Sequence, residues 1–380
     1  MYNERPWLSK YSSGVPANID PDKFPHLVAW VEEVFTKYKK KKAFSNFGTE
    51  LSYGEVDRMS KQFGAYLLTR GLEAGDRVAI MMPNLLQYPI AIFGAIRAGL
   101  VVVNTNPLYT PREMQHQFVD SGVKAVIIAE NFAANLEKIL GATEIKTIIT
   151  TTIGEMLGAV KGKIVDATLK YVKKMVPKHN LPNTVKFTDA IKQGKNFTLP
   201  EYEGGPDTVI LHQYTGGTTG VAKGAMLTNR NLVANMEQVK AILGPQLDDG
   251  VEIALSPLPM YHIYAFSCNC LALGAVGALN VLVTNPRDLG SIIKEFKRYK
   301  ISLFTGVNTL FNALVNHEDF KTIDFSSLKG TSGGGMAVQP IVGEKWQQIT
   351  GCFLAEGYGL TETSPVLTAN PNDGSGRLGT

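Results

Sequence analysis

The chain has 380 residues, of which 44% are hydrophobic and 19% are charged, and its formal net charge is +4. This composition supplies a large core for more than one packed lobe, and so small a positive charge gives no argument for nucleic acid as a partner. The three cysteines, Cys268, Cys270 and Cys352, form no C-x-x-C pair, so they indicate a reducing compartment rather than a disulfide scaffold or a zinc site.

The first half of the chain alternates predicted helices and strands. Ser52 and Glu55 have the spacing of a capping box at the start of a helix, and the apolar residues 77–82 follow as a strand. Residues 110–113 repeat the signal with proline at the first helical position, and Gly122 ends that helix. Further elements are predicted over residues 124–129, 131–140 and 145–151. This alternation is typical of a parallel sheet covered by helices on both faces.

Two apolar windows, residues 85–103 and 266–283, raise the question of a membrane span. The first carries Arg97 and the second carries several glycines and Asn280, so each is better explained as a buried helix followed by a buried strand. The N-terminus also lacks the apolar core of a signal peptide. We therefore expect a cytoplasmic protein.

Residues 152–200 form a predicted insertion that contains a basic amphipathic segment, Lys161–Lys178. As a helix, this segment would carry six lysines around an apolar face of Val165, Leu169, Val172 and Val176. Such a helix either packs its apolar face on the lobe or lies in the headgroup region of an anionic membrane. Packing is the commoner outcome, and both interpretations stay open here. A run of four lysines, Lys39–Lys42, is interpreted as a solvated helix end.

A second series of alternating elements follows a cluster of glycines and prolines at residues 200–206. Its predicted strands cover residues 208–214, 280–284, 301–305 and 353–356. Its predicted helices cover residues 289–298, 308–317 and 339–350. The sequence therefore predicts an α/β fold of two doubly wound lobes, residues 1–205 and 206–380.

The most informative segment is the glycine- and threonine-rich stretch from Tyr214 to Gly224. Glycines allow backbone N–H groups to face an anion, threonine hydroxyls add donors, and Lys223 adds a mobile positive charge. The segment therefore predicts a phosphate-binding loop formed by Tyr214, Thr215, Gly216, Gly217, Thr218, Thr219, Gly220 and Lys223.

The spacing of this loop excludes the two commonest phosphate-binding motifs. A Walker loop needs a lysine directly after its last glycine, whereas two residues separate Gly220 from Lys223. A dinucleotide fingerprint runs from a strand directly into a helix, whereas residues 225–227 follow Gly224 before a helix can begin. The loop is therefore predicted to join two strands.

The loop resembles the phosphate loop of the adenylate-forming (AMP-forming) acyl-CoA synthetases. Three further segments resemble motifs of that family, in the family's order: Pro259–Tyr264, Ser332–Met336 and Glu356–Thr363. Residues 82–84, 104–109 and 305–309 are similar specifically to the bacterial long-chain fatty acid–CoA ligases. The resemblance implies ATP-dependent conversion of a fatty acid to acyl-AMP with release of pyrophosphate, followed by formation of a thioester with CoA.

The resemblance also implies roles for individual residues. The catalytic residues would be Lys223, Thr218, His262, Thr361 and Glu362, and Mg²⁺ would be bound by Glu362 and Thr218. The nucleotide would contact the phosphate loop and also Gly333, Gly334, Gly335, Glu356, Gly357, Tyr358, Gly359, Leu360 and Thr361, with Tyr358 stacked on adenine. The fatty acid would contact Tyr261, His262, Phe266, Val307 and Gly333.

Several of these assignments have structural alternatives. Glu362 could be a carboxylate at the start of a helix, His262 a pocket-lining or core histidine, and Tyr358 a packed core residue. A run of three glycines at 333–335 could be a plain turn. Candidates for lining an acyl tunnel, which could equally be ordinary core, are Phe266, Leu271, Leu273, Val307, Leu310 and Phe311.

Members of the family that the sequence resembles continue beyond these motifs with a ribose-binding aspartate, a hinge and a small C-terminal domain that carries a catalytic lysine. The sequence ends at Thr380, so we expect an N-terminal portion that binds nucleotide weakly and forms little thioester. The expected partners are a long-chain fatty acid, ATP, CoA, the inner membrane surface and a second copy of the chain, with no nucleic acid. Two alternatives remain: a related ligase for aryl or medium-chain acids, and a nonenzymatic lipid-binding module.

Overall fold

The computed structural model describes residues 5–216, 221–371 and 373–379. The chain divides into two units. Unit A comprises Pro25–Arg230 and Met260–His262, and unit B comprises Met1–Phe24, Asn231–Pro259 and Ile263–Thr380. This division differs from the predicted boundary near residues 200–206, because the two strands that follow those residues join the sheet of the preceding lobe.

Unit A is built around a seven-stranded sheet. Its strands are β1 (Lys42–Asn46), β2 (Thr49–Ser52), β3 (Arg77–Met81), β4 (Val101–Asn104), β5 (Val123–Ala129), β6 (Thr147–Thr151), β7 (Thr184–Lys186), β8 (Val209–Thr215) and β9 (Lys223–Thr228). Its helices are α1 (Leu27–Lys37), α2 (Tyr53–Thr69), α3 (Gln87–Arg97), α4 (Pro111–Ser121), α5 (Ala133–Glu137), α6 (Ala159–Ala167) and α7 (Phe187–Gly194). The sheet order is β7-β6-β5-β3-β4-β8-β9. All neighbours in this sheet are parallel except β8 and β9, and β1 and β2, which lie outside it, pair with each other in antiparallel fashion.

Local signals set the ends of the helices in unit A. Ser52 and Glu55 form a reciprocal capping box at the start of α2, and Thr110 and Glu113 form another at the start of α4. Gly122 ends α4 in the left-handed conformation, with φ of 62°. These predictions are confirmed, as is the reading of residues 85–103 as a buried helix followed by a buried strand.

Unit B has a second, mostly parallel sheet. Its strands are β10 (Ile253–Ser256), β11 (Leu279–Leu282), β12 (Leu303–Gly306), β13 (Gly330–Gly333), β14 (Leu354–Gly359) and β15 (Val366–Ala369). Its helices are α8 (Asn229–Leu243), which begins at the unit boundary, α9 (Ile263–Ala265), α10 (Leu289–Arg298), α11 (Asn308–Val315) and α12 (Pro340–Thr350). These strands lie in the order β15-β14-β13-β12-β10-β11, and only β14 and β15 are antiparallel.

An aromatic cluster forms the centre of the core of unit B. Phe304 on β12 stacks on Trp346 of α12 with ring centroids 5.5 Å apart, and Phe311 of α11 meets Trp346 edge-on at 4.8 Å. All three side chains are buried. Aromatic pairs of this kind add stability beyond their apolar area, so α11 and α12 are fixed on the same sheet.

Two predicted helices differ from the observed elements. The element predicted over residues 131–140 contains only the short α5, flanked by 3₁₀ turns. The helix predicted over Lys161–Lys178 is α6 followed by a single π-helical turn, Thr168–Val172, after which Lys174 adopts a positive φ of 51°. Among the described residues, no helix combines the length and apolar character that crossing a membrane requires.

Candidate active site

The predicted phosphate loop connects the antiparallel strands β8 and β9. Thr215 pairs with Lys223 and Tyr214 pairs with Gly224, so the base of the loop is a hairpin, as predicted. Gly217, Thr218, Thr219 and Gly220 lie outside the described residues. Gly216 and Lys223 are exposed, and a methyl group added at Gly216 would meet no atom of the described residues within 4 Å. The described part of the loop is therefore accessible to a ligand.

Tyr214 turns its side chain inward beneath the loop. Its hydroxyl donates a hydrogen bond to the carboxylate of Asp120, and its ring belongs to the core beside β5. Burial, reinforced by the Asp120 charge, raises the pKa of the Tyr214 phenol. A methyl group added at Gly224 would lie 2.9 Å from this ring, so the packing itself requires glycine there. The tyrosine anchors the hairpin, and only its backbone remains available for a phosphate.

A chain of buried side-chain amides connects this hairpin to the segment Met260–His262. Gln213, the residue before Tyr214, donates from Nε2 to the carbonyl oxygen of Tyr261 at 2.9 Å. Its Oε1 accepts a hydrogen bond of 3.1 Å from Nδ2 of Asn104, at the end of β4. Because Gln213 and Asn104 are both buried, these hydrogen bonds are not shared with bulk water.

Two further residues hold the same segment at Met260. The Tyr88 hydroxyl lies 2.7 Å from the carbonyl oxygen of Met260 and 2.8 Å from Oδ1 of Asn104, and both oxygens are acceptors for its proton. Oδ1 of Asn84 accepts a hydrogen bond of 2.7 Å from the backbone N–H of Met260. We call Asn84, Tyr88, Asn104 and Gln213 the amide network. It fixes the backbone from which Tyr261 and His262 project.

His262 is exposed at its outer side, yet partial desolvation of its ring lowers its pKa. The imidazole is therefore neutral near pH 7, which leaves one ring N–H as a donor and one nitrogen as an acceptor. Tyr261 beside it is half-buried. The pair has the accessibility that a substrate contact requires.

In unit B, the predicted glycine turn follows strand β13. Gly333 and Gly334 are buried, and Gly335 has a φ of +75°, which favours glycine. A methyl group added at Gly334 would lie 3.1 Å from the ring of Tyr264 and 3.3 Å from the carbonyl oxygen of Gly357. The three predicted segments represented by Tyr264, Gly334 and Gly357 therefore meet within this unit.

Glu356 holds this turn in place. One carboxylate oxygen accepts a hydrogen bond from the backbone N–H of Val338 and the other accepts one from Gly379, both at 2.7 Å. The carboxylate thus joins the segment after the glycine turn to the last described residues. Both of its observed hydrogen bonds are with backbone N–H groups that follow the turn in the sequence.

The motif Gly357–Thr361 continues along β14 and leaves it at a tight turn. The side chain of Tyr358 is 59% exposed, so the core-packing alternative does not describe it. The backbone N–H of Leu360 donates to the carbonyl oxygen of Pro365 at 3.0 Å, which closes the turn that carries Thr361 and Glu362. The ring of Tyr358 and the carboxylate of Glu362 both lie at the surface of the unit.

Glu362 fits the requirements of a magnesium ligand. Mg²⁺ is typically bound through one or two carboxylates, with substrate phosphates and water completing its shell. The exposed carboxylate of Glu362, on the turn Thr361–Thr363, can supply one such oxygen. No group of three or more histidine, cysteine or acidic residues suited to a metal occurs in the described ranges. A site of the phosphate-dependent kind needs no such group.

The predicted tunnel residues fall into two sets. Leu310 and Phe311 belong to the aromatic core of unit B, and Leu273 belongs to a smaller core cluster. Phe266 and Leu271 are also fully buried, and both lie in the π-helical segment Phe266–Ala272. Val307 is only partly buried and lies at the start of α11. Of the six, Val307 is therefore the side chain that a ligand reaches without displacing the core.

The amide network was not predicted from the sequence. Its members come from distant parts of the sequence, and only residues 82–84 and 104–109 were singled out, through the family resemblance. A usable signal did exist, since Asn104 ends the apolar strand β4 and Gln213 follows the apolar start of β8. Buried polar groups require partners, so such residues indicate a contact at the carboxyl edge of the sheet.

Comparison with known proteins agrees with this geometry. A family model described as AMP-binding enzyme matches residues 31–380. A long-chain-fatty-acid–CoA ligase of Salmonella typhimurium is 49% identical over 97% of this chain, and the Bacillus subtilis protein of the same name is 32% identical over 97%. The chain spans 66% of the length of each of these relatives.

Solved structures show the same fold. A long-chain-fatty-acid-CoA ligase from Archaeoglobus fulgidus superposes with a TM-score of 0.77 at 22% identity, covering 95% of this chain and 69% of that one. The anthranilate CoA ligase AuaEII superposes with a TM-score of 0.79 at 18% identity, covering 93% and 64%. The two doubly wound sheets and the family resemblance predicted from the sequence are thus confirmed, and the chain belongs to the AMP-binding enzyme family.

Proposed function

We propose that this chain is the nucleotide- and acid-binding portion of a long-chain fatty acid–CoA ligase. In the first step, a fatty carboxylate oxygen attacks the α-phosphorus of ATP, the bond to the β-phosphate oxygen breaks, and pyrophosphate leaves. In the second, the thiol of CoA attacks the acyl carbon and AMP leaves. The observation that carries the proposal is the hairpin of β8 and β9, which places the exposed Gly216 and the exposed Lys223 at the base of the glycine-threonine loop.

The loop and Lys223 are assigned to the phosphates. Charge spreads over phosphate oxygens during transfer, so fixed donors and a nearby cation lower the barrier mainly through electrostatic stabilisation. Thr215, Gly216 and the loop residues 217–220 are also assigned to the phosphates. Glu362, with Thr218, would hold Mg²⁺, which neutralises phosphate charge when bound. Thr361 is assigned to the α-phosphate.

The segment at His262 is assigned to the acid. A neutral imidazole can donate a hydrogen bond to one carboxylate oxygen without drawing the substrate into a tight ion pair. The amide network supports this role because it fixes the segment's backbone at Met260 and Tyr261. The proposal also assigns Phe266, Val307 and Gly333 to the fatty acid, and Val307 is the accessible member of the tunnel candidates.

The glycine turn and β14 are assigned to the base. Glycines at 333–335 and at 357 and 359 keep side chains away from a flat ligand, and the exposed ring of Tyr358 can stack on adenine. Leu360 is exposed beside it. Glu356 contributes by holding the turn, since both of its carboxylate oxygens accept backbone hydrogen bonds.

For the whole ligase, we propose that CoA is the second substrate and that the protein is cytoplasmic. We also propose that it contacts the inner membrane surface peripherally and forms a homodimer. The relatives named long-chain-fatty-acid–CoA ligase support the substrate class, and they are also the reason for preferring it to aryl acids. The conclusion for the chain alone is nucleotide and acyl-adenylate binding.

Equilibrium binding to the 380-residue chain tests this conclusion. Titration calorimetry would compare ATP with two hydrolysis-resistant acyl-adenylate analogues, one palmitoyl and one benzoyl. We expect the palmitoyl compound to bind most tightly, because each buried methylene adds about 0.8 kcal/mol. Tighter binding of the benzoyl compound would favour an aryl-acid ligase. Palmitate binding with no gain from the adenosine moiety would favour a lipid-binding module.

A substitution tests the phosphate assignment. Lys223→Ala should weaken ATP binding about tenfold or more, because it removes the cation assigned to the pyrophosphate side. Lys192→Ala is the matched control, since Lys192 is an exposed lysine of the same unit that pairs only with its neighbour Asp189 at 3.1 Å among the contacts described. Equal effects of the two substitutions would contradict the assignment.

A further inference from the structure

Unit A exposes apolar side chains among lysines on its insertion. Val160, Ile164, Tyr171 and Val172 are 74%, 61%, 71% and 76% exposed. Met175 is exposed as well. Six exposed lysines accompany them: Lys161, Lys163, Lys170, Lys173, Lys174 and Lys178. We call these five apolar residues and six lysines the basic patch.

The patch is exposed because α6 attaches to unit A through its small and acidic side. Gly162 lies so close to the backbone of Gly154 that a methyl group at either position would collide with the other's carbonyl oxygen. Asp166 accepts hydrogen bonds from the Thr152 hydroxyl at 2.6 Å and from the Gly154 N–H at 2.8 Å. These contacts hold the helix to the unit, and the apolar residues Val160 and Ile164 of the same helix stay exposed.

This arrangement argues against the packing interpretation of the segment. Packing of the predicted apolar face would bury Val165, Leu169, Val172 and Val176. Val172 is instead among the most exposed apolar residues, and the other three are only partly buried. Exposed apolar groups on this scale mark an interaction surface rather than a folding core.

The tip of the β1–β2 hairpin lies beside the patch. Lys161 donates a hydrogen bond to the carbonyl oxygen of Phe47, and the Thr49 hydroxyl reaches the carbonyl oxygen of Leu157 at 3.5 Å. The ring of Phe47 is itself exposed. Phe47 therefore adds an exposed aromatic ring to the apolar side chains of the basic patch.

We propose that the basic patch, together with Phe47, binds the surface of an anionic lipid bilayer. The apolar side chains enter the headgroup boundary, and the long lysine side chains reach outward to lipid phosphates. Asp166 is the only acidic residue between 159 and 178, and both of its oxygens are engaged within the unit. The segment thus presents six lysines and one aspartate whose oxygens already have partners, which favours an anionic membrane.

The charge also argues against a second copy of the chain as the occupant. A two-fold dimer would place the same patch on both sides of its interface, and six lysines would then face six lysines. The inference rests on the proposed function, which includes contact with the inner membrane surface, and deepens it by naming the residues that make this contact. Binding to lipid itself requires no ligase activity.

Vesicle co-sedimentation of the 380-residue chain, without ATP or fatty acid, tests the inference. Vesicles of phosphatidylcholine would be compared with vesicles that also contain phosphatidylglycerol. We expect binding only in the presence of the anionic lipid, and weaker binding at high salt. The triple variant Ile164→Ser, Tyr171→Ser, Val172→Ser should lose about tenfold or more in apparent affinity.

A matched pair of charge variants completes the test. Replacement of Lys163, Lys170, Lys173 and Lys174 by glutamine should also reduce vesicle binding about tenfold or more. Replacement of Lys39, Lys40, Lys41 and Lys42 by glutamine removes the same charge from another exposed lysine run and should leave most of the binding intact. All variants should retain the thermal unfolding midpoint of the parent, since they alter surface groups.

Several outcomes would overturn the inference. Equal losses in the two charge variants would mean that net charge alone drives adsorption. Unchanged vesicle binding in the apolar variant, or loss of a dimer in that variant by light scattering, would assign the patch to something other than lipid. Acyl-adenylate binding measured in parallel separates this failure from failure of the proposed function, because it does not involve vesicles.

Discussion

Units A and B hold their candidate site residues by different physical means. In unit A, the segment Met260–His262 is held through its backbone by the amide network, whose side chains come from two strands, a helix and the loop after β3. In unit B, Glu356 also holds the segment after the glycine turn through backbone hydrogen bonds, but the end of β14 adds a close backbone approach at Gly359 that only glycine permits. The segment in unit A thus depends on hydrogen-bond partners, whereas the end of β14 in unit B depends on the absence of a side chain.

The difference indicates which substitutions each region tolerates. Removing a buried hydrogen-bonding group leaves its partners unsatisfied, and the cost is that of their desolvation. Adding a methyl group where two backbones touch forces a strand to move, and the cost depends on how far. Unit A should therefore be sensitive to the loss of atoms, and the motif in unit B to their gain.

The largest effect is expected for Gly359→Ala in unit B. The added methyl group would collide with the carbonyl oxygen of Pro365, a backbone atom that cannot rotate away. We expect a loss of about 3 kcal/mol in the free energy of unfolding, measured by urea denaturation. Binding of an acyl-adenylate analogue should weaken as well, since the collision displaces the strand that carries Tyr358.

Gly357→Ala, two residues earlier on the same strand, is the matched control. A methyl group there would lie 3.9 Å from the carbonyl oxygens of Gly333 and Thr368, which is an ordinary contact. Its stability should stay within about 0.5 kcal/mol of the parent. If both substitutions destabilised equally, glycine at 359 would owe its effect to strand propensity and the comparison of the two units would fail.

The next largest effect is expected in unit A, for Asn104→Ala. The substitution removes the acceptor that Tyr88 uses and the donor that Gln213 uses, both in a buried setting. A loss of about 2 kcal/mol in the free energy of unfolding is expected, chiefly because Oε1 of Gln213 is left without its donor, whereas the Tyr88 hydroxyl keeps the carbonyl oxygen of Met260. The double variant with Tyr88→Phe should lose less than the sum of the single losses, because the two residues share one hydrogen bond. Additive losses would separate Asn104 from the network.

Tyr88→Phe alone should cost about 1 kcal/mol, because it removes one buried hydroxyl and little volume. Tyr66→Phe offers a control in the same unit, since the Tyr66 hydroxyl is buried and has no hydrogen-bond partner among the described residues. That substitution should be neutral or slightly stabilising. In addition, Tyr88→Phe should weaken binding of the palmitoyl analogue while Tyr66→Phe leaves it unchanged, and the reverse pattern would argue against a positioning role for Tyr88.

Local signals predicted much of the fold. The capping boxes at Ser52 and Thr110, and the hairpin beneath the phosphate loop, depend on residues close in sequence, so their chemistry could be read directly. The domain boundary was misplaced because proline and glycine at 200–206 mark a loop, whereas membership of a sheet is decided by pairing between distant strands. β8 pairs with β4 more than one hundred residues away.

The candidate site was predictable only in part, for the same reason. The motif residues at 356–362 are contiguous and carry their chemistry with them. The amide network joins residues near 84, 104, 213 and 260, and its existence depends on the order of strands in the sheet. The exposed face of the insertion was likewise hidden, because the attachment through Gly154 and Gly162 is a contact between two backbones.

The smallest expected effect concerns the histidines of unit A and their contribution to stability in acid. His26, His212 and His262, all in this unit, have a lowered pKa, caused chiefly by burial. The unfolded chain therefore binds protons more readily, so the stabilising contribution is complete above the ordinary value of 6.5 and is lost as the pH falls through the lowered folded-state pKa.

For His26 the local cause is visible, because its Nδ1 accepts the 3.0 Å hydrogen bond from Ala29 that caps α1, and protonation removes that acceptor. His26→Asn keeps a capping oxygen that does not titrate, so it should match the parent near neutral pH and be about 0.5 kcal/mol more stable than the parent in acid. Urea denaturation across this pH range measures the difference, and parallel stability curves for the two proteins would show that the cap at His26 does not contribute to acid sensitivity.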